Sequence, residues 1–376
     1  MEYVNCLICG SKKSVFFLSG RDRIHGGADL FTLVRCNDCG FVYQNPRPTL
    51  SEIKSYYPED YYSYQPRVPT MSKSPTVLAR LKAYVRASVI ARHYKYPENL
   101  TLKALKIAFS LSHPLLEGFL AKLFWRQIAK KRFGYKAMLP YRPEGRLLEV
   151  GCGSGTTLEW YREHGWEVAG VELSQAAAER ANKIGIKIFC GPVHEAGFPK
   201  EYFDSVILFD TIEHLHKVKE TLCEIRRVLK KDGTLFLTTQ NILSLEFRLF
   251  KHHWPALDLP RHLYDFDRQS LNKLLTECGF RIYQSEYTVA PGAIEDCLRY
   301  LKNDLTEREK HFASRFVNIL LRHRTWLMLF WKPFAMFLFY VGLSGGLRVV
   351  ATPEKEGGLS RNSEFFVHKG DEAWKE

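Results

Sequence analysis

Residues 147–155 read Leu-Leu-Glu-Val-Gly-Cys-Gly-Ser-Gly, a short apolar run that passes directly into a glycine-rich turn. A helical pattern follows over residues 156–164, and a second apolar run over residues 166–171 ends at Glu172. A strand, glycine turn, helix, strand and terminal acid form a nucleotide-binding βαβ unit, in which the acid binds ribose hydroxyls. Glu172 lies 21 positions after Gly151, close to the expected spacing of about 20. The stretch therefore predicts a site for an adenosine-containing ligand.

Strands and helices continue to alternate on the C-terminal side of this unit. The glycine turn is GxGxG rather than the GxGxxG of dinucleotide-binding proteins, so its third glycine falls one residue early. Seven strands with interleaved helices predict an α/β fold with a doubly wound sheet. The remaining strands are predicted at residues 186–190, 205–209, 234–239, 280–288 and 347–351, and the helices at 175–184, 218–229 and 268–278.

Four motifs in this region occur in the order and spacing typical of one enzyme family. They are residues 147–155, 170–172 (Gly-Val-Glu), 203–207 (Phe-Asp-Ser-Val-Ile) and 229–235 (Leu-Lys-Lys-Asp-Gly-Thr-Leu). By these residues the chain resembles the class I S-adenosylmethionine-dependent methyltransferases, over roughly residues 145–290 and the last strand. The resemblance implies a seven-stranded Rossmann-like sheet, S-adenosylmethionine (SAM) as cofactor and methyl transfer as the activity.

The resemblance also implies which residues hold the cofactor. In the family, the glycine loop wraps the methionyl part, the acid matched by Glu172 holds the ribose, and a loop after the third strand holds adenine. That loop is residues 191–194 here, with Pro192 where an adenine-contacting acid is common. The backbone amide of Val193 remains as a donor to the adenine ring. The predicted cofactor-binding residues are Glu149, Gly151, Cys152, Gly153, Gly155, Glu172, Leu173, Val193 and Asp210.

Candidate catalytic residues follow the fourth and fifth predicted strands, at the carboxyl ends where ligands bind in open α/β sheets. Residues 210–214 (Asp-Thr-Ile-Glu-His) follow the fourth strand, and residues 261–266 (Arg-His-Leu-Tyr-Asp-Phe) lie beyond the fifth. A histidine suits the removal of a proton from a methyl acceptor. The second stretch is similar to a His-Leu-x-x-Phe segment of sugar methyltransferases, in which the histidine lies beside the acceptor. The predicted catalytic residues are His262, His214 and Tyr264.

Two alternatives stay open for these polar residues. His262 could instead cap the helix that follows it. Asp210, Glu213 and His214 lie at positions i, i+3 and i+4, so they could converge on a divalent ion that lowers the pKa of an acceptor hydroxyl. This spacing resembles the Glu-x-x-Glu-His metal site of ubiquinone-pathway and small-RNA ribose O-methyltransferases, although relatives without metal carry a similar Glu-His-Leu segment.

The N-terminal region contains two CxxC pairs, Cys6 with Cys9 and Cys36 with Cys39. Each CxxC turn lets two thiolates meet one tetrahedral ion, and two such turns close a structural Zn²⁺ site with no open position for catalysis. The alternatives are four unrelated buried cysteines or a redox pair. Residues 36–46 are similar to the end of a four-cysteine ribbon found in bacterial methyltransferases associated with cell-envelope or antibiotic saccharide synthesis. An aromatic-rich arm, residues 56–64, follows the ribbon.

Most of the excess positive charge is concentrated in one segment. The chain has a net charge of +13, and residues 71–140 contain fourteen Lys and Arg against two acids. Residues 115–133 have the pattern of a basic amphipathic helix. Such a helix could pack on the core with a solvated basic face, which is the reading we favour, or bind anionic lipid, or bind nucleic acid.

An apolar stretch precedes the last predicted strand. Residues 325–347 contain one charge, Lys332, which Pro333 follows. The length allows a membrane span, but the last strand must return to the same sheet, so a single crossing is excluded. The pattern favours a buried helix broken at Pro333 over a monotopic contact with a membrane.

The combined pattern predicts five regions and one activity. The chain start has no secretory signal pattern, so we expect a reducing cytosol, with peripheral contact at the inner face of an anionic membrane as an option. The expected activity is SAM-dependent methyl transfer to oxygen or carbon of a nucleotide- or lipid-linked sugar, a small-molecule or glycan substrate. The alternatives are an RNA methyltransferase, with nucleic acid the less favoured partner, an O-methyltransferase of a quinone-like isoprenoid, and a non-catalytic scaffold. The predicted regions are the zinc ribbon and arm (1–70), a basic helical insert (71–140), the SAM-binding core (141–290), an apolar cap with the last strand (291–352) and a polar tail (353–376).

Overall fold

A computed structural model gives the fold of most of the chain. Almost all of the predicted basic segment and of the polar tail lies outside the part of the chain that the structure describes, so the helical insert stays a prediction. The described residues are 1–27, 29–58, 61, 139–289, 293–307 and 311–354.

All core strands and helices expected from the sequence are present, and most of their ends lie within two residues of the predicted positions. β8 begins earlier than predicted. The strands are β1 Ser14–Gly20, β2 Phe31–Cys36, β3 Val42–Gln44, β4 Arg146–Val150, β5 Glu167–Glu172, β6 Lys187–Cys190, β7 Phe203–Phe209, β8 Leu229–Gln240, β9 Tyr264–Asp265, β10 Phe280–Thr288 and β11 Gly346–Pro353. The α-helices are α1 Thr156–Glu163, α2 Gln175–Lys183, α3 Val218–Val228, α4 Leu245–Phe250, α5 Arg268–Glu277, α6 Ala293–Glu307, α7 His311–Arg322 and α8 Arg324–Tyr340.

Seven strands form one sheet in the order β6-β5-β4-β7-β8-β11-β10. The strands from β4 to β8 run parallel, and β11 is antiparallel to both of its neighbours. The chain passes from β6 at one edge to β7 on the other side of β4. The topological switch point, where open α/β sheets bind their ligands, therefore lies between β4 and β7.

Successive side chains of the central strands enter two different apolar cores. Leu148 of β4 belongs to a core that includes Leu222 of α3 and Leu274 of α5. The next residue back, Leu147, belongs to a core on the opposite face with Leu158 of α1. Because neighbouring strand residues point to opposite faces, helices cover both sides of the sheet. The predicted doubly wound α/β fold is confirmed.

β1, β2 and β3 form a second, smaller sheet with β9, in the order β1-β2-β3-β9. We call these three strands and the four cysteines beside them the ribbon. Tyr43 of β3 pairs with Tyr264 of β9, and the Gln44 amide donates to the Leu263 carbonyl at 2.9 Å. The ribbon is thus bonded through its backbone to the segment that carries His262, so this sheet crosses the predicted boundary at residue 70.

The apolar C-terminal segment differs from our prediction of a buried helix broken at Pro333. α8 continues through Pro333 to Tyr340, and its outer apolar side chains are exposed. Before Pro333, Met328 and Trp331 pack beside α6 and α7, and after it Leu338 is buried. These contacts offset the backbone hydrogen bond that is lost because proline has no N–H group. The chain then returns to the sheet as β11, as predicted. Within the described residues, no helix combines the length and apolarity that a membrane crossing needs.

Candidate cofactor and catalytic site

The glycine loop turns sharply between β4 and α1. Gly151, Gly153 and Gly155 have φ values of 75°, 51° and 76°, a region that side chains with a Cβ rarely occupy. A Cβ on Gly151 would lie 2.6 Å from the Thr211 side chain, and one on Gly155 would lie 2.9 Å from Ala181. Glycine is therefore required for both backbone conformation and space, and the loop is held against the end of β7.

Glu172 ends β5 directly beside this loop. Its Oε2 accepts a hydrogen bond from the Gly153 amide at 2.8 Å, and its Oε1 accepts one from the Ser174 amide at 3.0 Å. Burial raises the pKa of the carboxyl, and the backbone amides oppose that rise. Each carboxylate oxygen retains a lone pair, so an oriented acceptor pair is available for ribose hydroxyls.

The other predicted cofactor residues surround the same edge of the sheet. Glu149 is buried near the end of β4. Cys152 is buried against Gly170, where an added Cβ would lie only 2.7 Å from the Cys152 Sγ atom. Leu173 is exposed just beyond Glu172, while Val193 is buried in a short 3₁₀ turn after β6. This combination of left-handed glycines, an oriented carboxylate and an exposed apolar side chain fits an adenosine ligand such as SAM.

Asp210 has an unusual backbone conformation for a residue with a side chain. Its φ is 53°, and its amide donates to the Thr238 carbonyl at 3.0 Å. The Oδ1 atom of Asp210 accepts from the Thr238 hydroxyl at 3.0 Å. Strained residues of this kind concentrate at functional sites, and Asp210 lies at the end of β7, next to the switch point.

His214 and His262 come together, although 48 positions separate them in the sequence. Their ring centroids are 4.5 Å apart, at an interplanar angle of 74°. Nδ1 of His262 lies 2.8 Å from the Ala256 carbonyl, and Nδ1 of His214 lies 3.0 Å from the Arg261 carbonyl. Because a carbonyl can only accept, each Nδ1 carries the proton and each Nε2 carries a lone pair.

The environment keeps both rings neutral. Desolvation, followed by the positive charge of a protonated His262, lowers the pKa of His214 to about 3. Desolvation also lowers the pKa of His262, against the opposing effect of Asp258. Two neutral imidazoles with free Nε2 lone pairs can accept a proton or bind a cation.

Glu213 is the third member of the cluster that contains the two histidines. Its Oε1 lies 4.0 Å from Nε2 of His262, and its Oε2 accepts from the Thr239 hydroxyl at 3.0 Å. Burial and then the charge of Asp210 raise the pKa of Glu213 well above its ordinary value. Candidate ligand atoms of Glu213, His214 and His262 lie within 4.8 Å of one another. A divalent ion could therefore be shared by Glu213, His214 and His262. The alternative drawn from the sequence had Asp210 in place of His262, but the Asp210 carboxylate accepts a hydrogen bond from Thr238.

Sequence reasoning missed an ionic cluster that supports this site. Arg261 is fully buried and binds the Asp22 carboxylate with two hydrogen bonds of 2.7 and 2.8 Å. The Nε of Arg261 also donates to Asp258 at 2.8 Å, and Asp258 Oδ2 lies 3.9 Å from Nε2 of His262. Asp22 lies in the loop after β1, and no pattern in the sequence predicts that it meets a residue so far along the chain.

The aromatic arm contacts the histidines through Tyr57, whereas the Tyr264 side chain contacts the ribbon. The Tyr57 hydroxyl lies 3.0 Å from Nδ1 of His214. The Tyr264 hydroxyl instead accepts from Arg47 at 2.6 Å, and its ring stacks beside Phe41 of the ribbon. Tyr264 therefore lies in the interface with the ribbon, because β9 turns its side chain toward β3, and its catalytic role stays a prediction.

The four ribbon cysteines form a compact cluster. The Sγ–Sγ distance is 3.5 Å both for Cys6 with Cys39 and for Cys9 with Cys36, far longer than the ~2.05 Å of a disulfide. All four sulfurs lie within 4.8 Å of one another. Thiolates bound at ~2.3 Å to a tetrahedral ion would be separated by ~3.8 Å, so the donor set fits a closed Zn²⁺ site.

Part of the chain is similar to known methyltransferases. A family model described as a methyltransferase domain matches residues 124–285. A probable S-adenosylmethionine-dependent methyltransferase of Mycolicibacterium smegmatis is 29% identical over 150 residues, 38% of this chain and 55% of that protein. A ubiquinone biosynthesis O-methyltransferase of Bradyrhizobium diazoefficiens is 34% identical over 102 residues, 26% of this chain and 40% of that protein. The chain therefore spans about half the length of these curated relatives.

Among solved structures, a SAM-dependent methyltransferase from Archaeoglobus fulgidus aligns over 62% of this chain and 93% of that chain. The identity is 18% and the TM-score is 0.37.

Proposed function

We propose that this chain, which contains a class I SAM-dependent methyltransferase domain, methylates oxygen or carbon of a nucleotide- or lipid-linked sugar. One observation supports the proposal above the others. The glycine loop and Glu172 lie at the carboxyl ends of β4 and β5, and two histidines with free Nε2 lone pairs follow β7 and β8 on the same edge of the sheet.

The residues of the glycine loop edge would hold the cofactor. When bound, SAM supplies a methyl group on a positively charged sulfur that an acceptor can attack. Glu172 would accept hydrogen bonds from the ribose hydroxyls, and the Val193 amide would donate to adenine. The left-handed glycines let the loop backbone approach the methionyl part without side chains in the way.

His262 would take the proton that the acceptor loses. Its Nε2 is the unprotonated nitrogen, so it can accept the proton from an acceptor hydroxyl as the new carbon–oxygen bond forms. Asp258 Oδ2 and Glu213 Oε1 lie 3.9 and 4.0 Å from that nitrogen. The Asp258 carboxylate would stabilise the imidazolium that results, whereas the raised pKa of Glu213 favours its neutral form.

The ribbon cysteines would hold one structural Zn²⁺ ion per chain. Four thiol groups leave no open coordination position, so the metal would support folding and would not bind substrate. Metal analysis of the purified protein tests this. Stoichiometric zinc retained in a Cys36→Ser/Cys39→Ser double variant would contradict it.

A second candidate acceptor is a hydroxyl of a quinone-like isoprenoid. Curated relatives named ubiquinone biosynthesis O-methyltransferases favour it. A turnover assay with labelled SAM separates the two candidates, using nucleotide- and polyprenyl-linked sugars in one panel and polyprenyl phenols in the other. Turnover confined to the phenols would replace the sugar proposal, and EDTA in parallel reactions would reveal any need for an ion at Glu213, His214 and His262.

Calorimetric titration with SAM tests the cofactor site directly. Glu172→Ala removes a charged hydrogen-bond acceptor, so we expect SAM to bind at least about tenfold more weakly. Glu167→Ala, at the exposed start of the same strand, is the matched control and should bind SAM normally. Equal binding by both variants, or no heat with the unmodified protein, would refute the proposed cofactor site.

A further inference from the structure

The helical hairpin formed by α7 and α8 has an outer surface unlike that of an ordinary surface helix. On α7, Phe312, Phe316 and Ile319 are exposed at 89%, 59% and 55%. Their spacing of four and three residues places them on one stripe, which Arg315 and Arg322 extend. The opposite side of α7 is packed, with Val317 buried beside α6.

Among the side chains that the structure describes, the outer face of α8 is apolar from Leu329 to the end of the helix. A surface helix normally carries polar residues on its outer face, whereas the inner face of α8, with Leu338 buried, is apolar as well. The inner face packs against the protein, so the exposed apolar outer face indicates that a further apolar partner covers it. Its outer side chains, exposed at 42–72%, are Leu329, Phe330, Phe334, Phe337 and Tyr340, and Val341 directly after the helix is exposed as well.

The charge of the hairpin indicates what that environment is. Residues 311–340 contain four basic side chains and no acid. A helix with aromatic and apolar residues on its outer face, flanked by Lys and Arg, is typical of segments that lie in the interface of an anionic bilayer. A self-complementary dimer would instead bring two identical basic hairpins together, and like charges repel across such an interface.

Arg324 pairs with Glu295 of α6 at 3.3 Å, which leaves Arg315 and Arg322 on the outer stripe of α7. We propose that the hairpin of α7 and α8 binds the surface of an anionic lipid bilayer, with its phenylalanines in the acyl region and Arg315 and Arg322 at the headgroups. The connection from α8 to β11 is bonded to the end of β8, since the Asn241 side chain donates to the Ser344 carbonyl at 2.9 Å. The lipid-binding surface is therefore fixed to the same edge of the sheet as the proposed acceptor site. Lipid binding itself does not depend on methyl transfer.

Vesicle flotation tests the proposal with the full-length protein. The vesicles contain phosphatidylcholine, either alone or with about one third phosphatidylglycerol. We expect binding to the anionic vesicles that weakens with added salt, because the basic side chains contribute through charge. Loss of two inserted phenylalanines in Phe316→Ser/Phe337→Ser should weaken vesicle binding at least about tenfold.

The control variant is Phe16→Ser, which removes a phenylalanine of the ribbon that is 68% exposed, somewhat more than Phe316 and Phe337 at 59% and 57%. It should bind vesicles normally. The basic segment of residues 71–140 is present in every variant, so a difference between variants isolates the hairpin. Unchanged binding by the double variant, or no binding by the unmodified protein, would overturn the proposal.

Two further measurements keep the result interpretable. SAM titration and circular dichroism report whether the double variant is folded, and the single variant Phe312→Ser replaces it if it is not. Light scattering in the absence of lipid reports oligomeric state. A dimer that disappears in the phenylalanine variants would assign the surface to a second copy of the chain and would also overturn the proposal.

Discussion

His214 and His262 each direct Nδ1 at a backbone carbonyl, and this fixes which nitrogen can act as a base. The acceptor carbonyls belong to Arg261 and Ala256, in or beside the loop that precedes β9. The neutral tautomer is therefore set by the backbone before any ligand binds. We therefore expect the Nε2 atom of each histidine to be oriented as a proton acceptor before substrate binds. Because each ring has its own carbonyl partner, the two histidines can be tested one at a time.

Replacing His262 by alanine should separate catalysis from cofactor binding. We expect turnover to fall roughly 10²–10⁴-fold, since a positioned base is lost, while SAM affinity measured by calorimetry stays nearly unchanged. A variant with near-normal turnover would move the base to His214. The predicted alternative, in which His262 caps the following helix, is wrong, because Asp267 caps that helix. If His262 served only to hold the loop through the Ala256 carbonyl, the variant would lose stability and keep its turnover per folded molecule.

The pH profile provides a second readout of the same residue. Desolvation lowers the pKa of His262 below its ordinary value of 6.5, and only the neutral ring accepts a proton. Turnover should therefore be constant above about pH 6.5 and fall at more acidic pH. Stability changes in the same direction, because the unfolded chain takes up the proton first as pH falls through 6.5. A rise in kcat/KM centred above pH 6.5 would contradict this assignment.

Arg261 is the residue whose loss should cost the most stability. Removing a buried charge leaves Asp22 and Asp258 without their main cationic partner, which typically costs about 3–5 kcal/mol. We expect Arg261→Met to lower the free energy of unfolding by an amount in that range in urea titrations. Arg146→Met is the matched control, because the ion pair between Arg146 and Glu167 is exposed on both sides. A similar small effect for both variants would show that the cluster contributes little.

At the scale of elements, the two-residue strand β9 connects the ribbon to the histidine cluster. Arg47, three residues after the end of β3, adds to this connection. It donates hydrogen bonds to the Tyr264 hydroxyl and to the His216 carbonyl. The segment that carries His262 is therefore held on one side by the ribbon and on the other by the main sheet.

Loss of the ribbon metal should consequently affect catalysis more than cofactor binding. In Cys36→Ser/Cys39→Ser we expect turnover to fall at least about tenfold with a lower melting temperature, because β3 no longer positions β9. SAM affinity should change little, since the glycine loop and Glu172 belong to the other sheet. Cys223→Ser, which changes an exposed cysteine of α3 outside the ribbon and the cofactor loops, is the control. Equal losses of turnover and SAM affinity would show that the ribbon acts on overall folding alone.

The same elements show what the sequence could predict. The glycine loop, Glu172 and the core strands carry local patterns, and the predicted β10, residues 280–288, has the observed ends. β9 has only two residues and pairs with a strand far away in the chain, so no periodicity marks it. Tyr57 and Asp22 were not predicted for the same reason, since their contacts with His214 and Arg261 join distant parts of the chain without a local pattern. The outer face of α8 was wrongly predicted as buried, because apolar composition alone does not distinguish a core from a lipid surface.

At the scale of the whole molecule, the end of β8 joins β9, which pairs with the ribbon, to β11, which follows the hairpin. Gln240 is the last residue of that strand. Its side chain donates to the Tyr264 carbonyl of β9 at 3.1 Å, and its backbone is paired with Gly346 of β11, the strand that follows the hairpin. The ribbon and the hairpin are therefore both connected to the seven-stranded sheet at the edge where the proposed acceptor site lies.

The pairing of β3 with β9 also sets an order of events during synthesis of the chain. About 220 residues separate Tyr43 from Tyr264, which corresponds to roughly 10 to 45 seconds of translation at the usual 5–20 residues per second. Throughout that interval β3 is an unpaired edge, the type of strand that associates with other chains. A ribbon that loads its metal early would hold this edge in a folded three-stranded unit until its last strand leaves the ribosome.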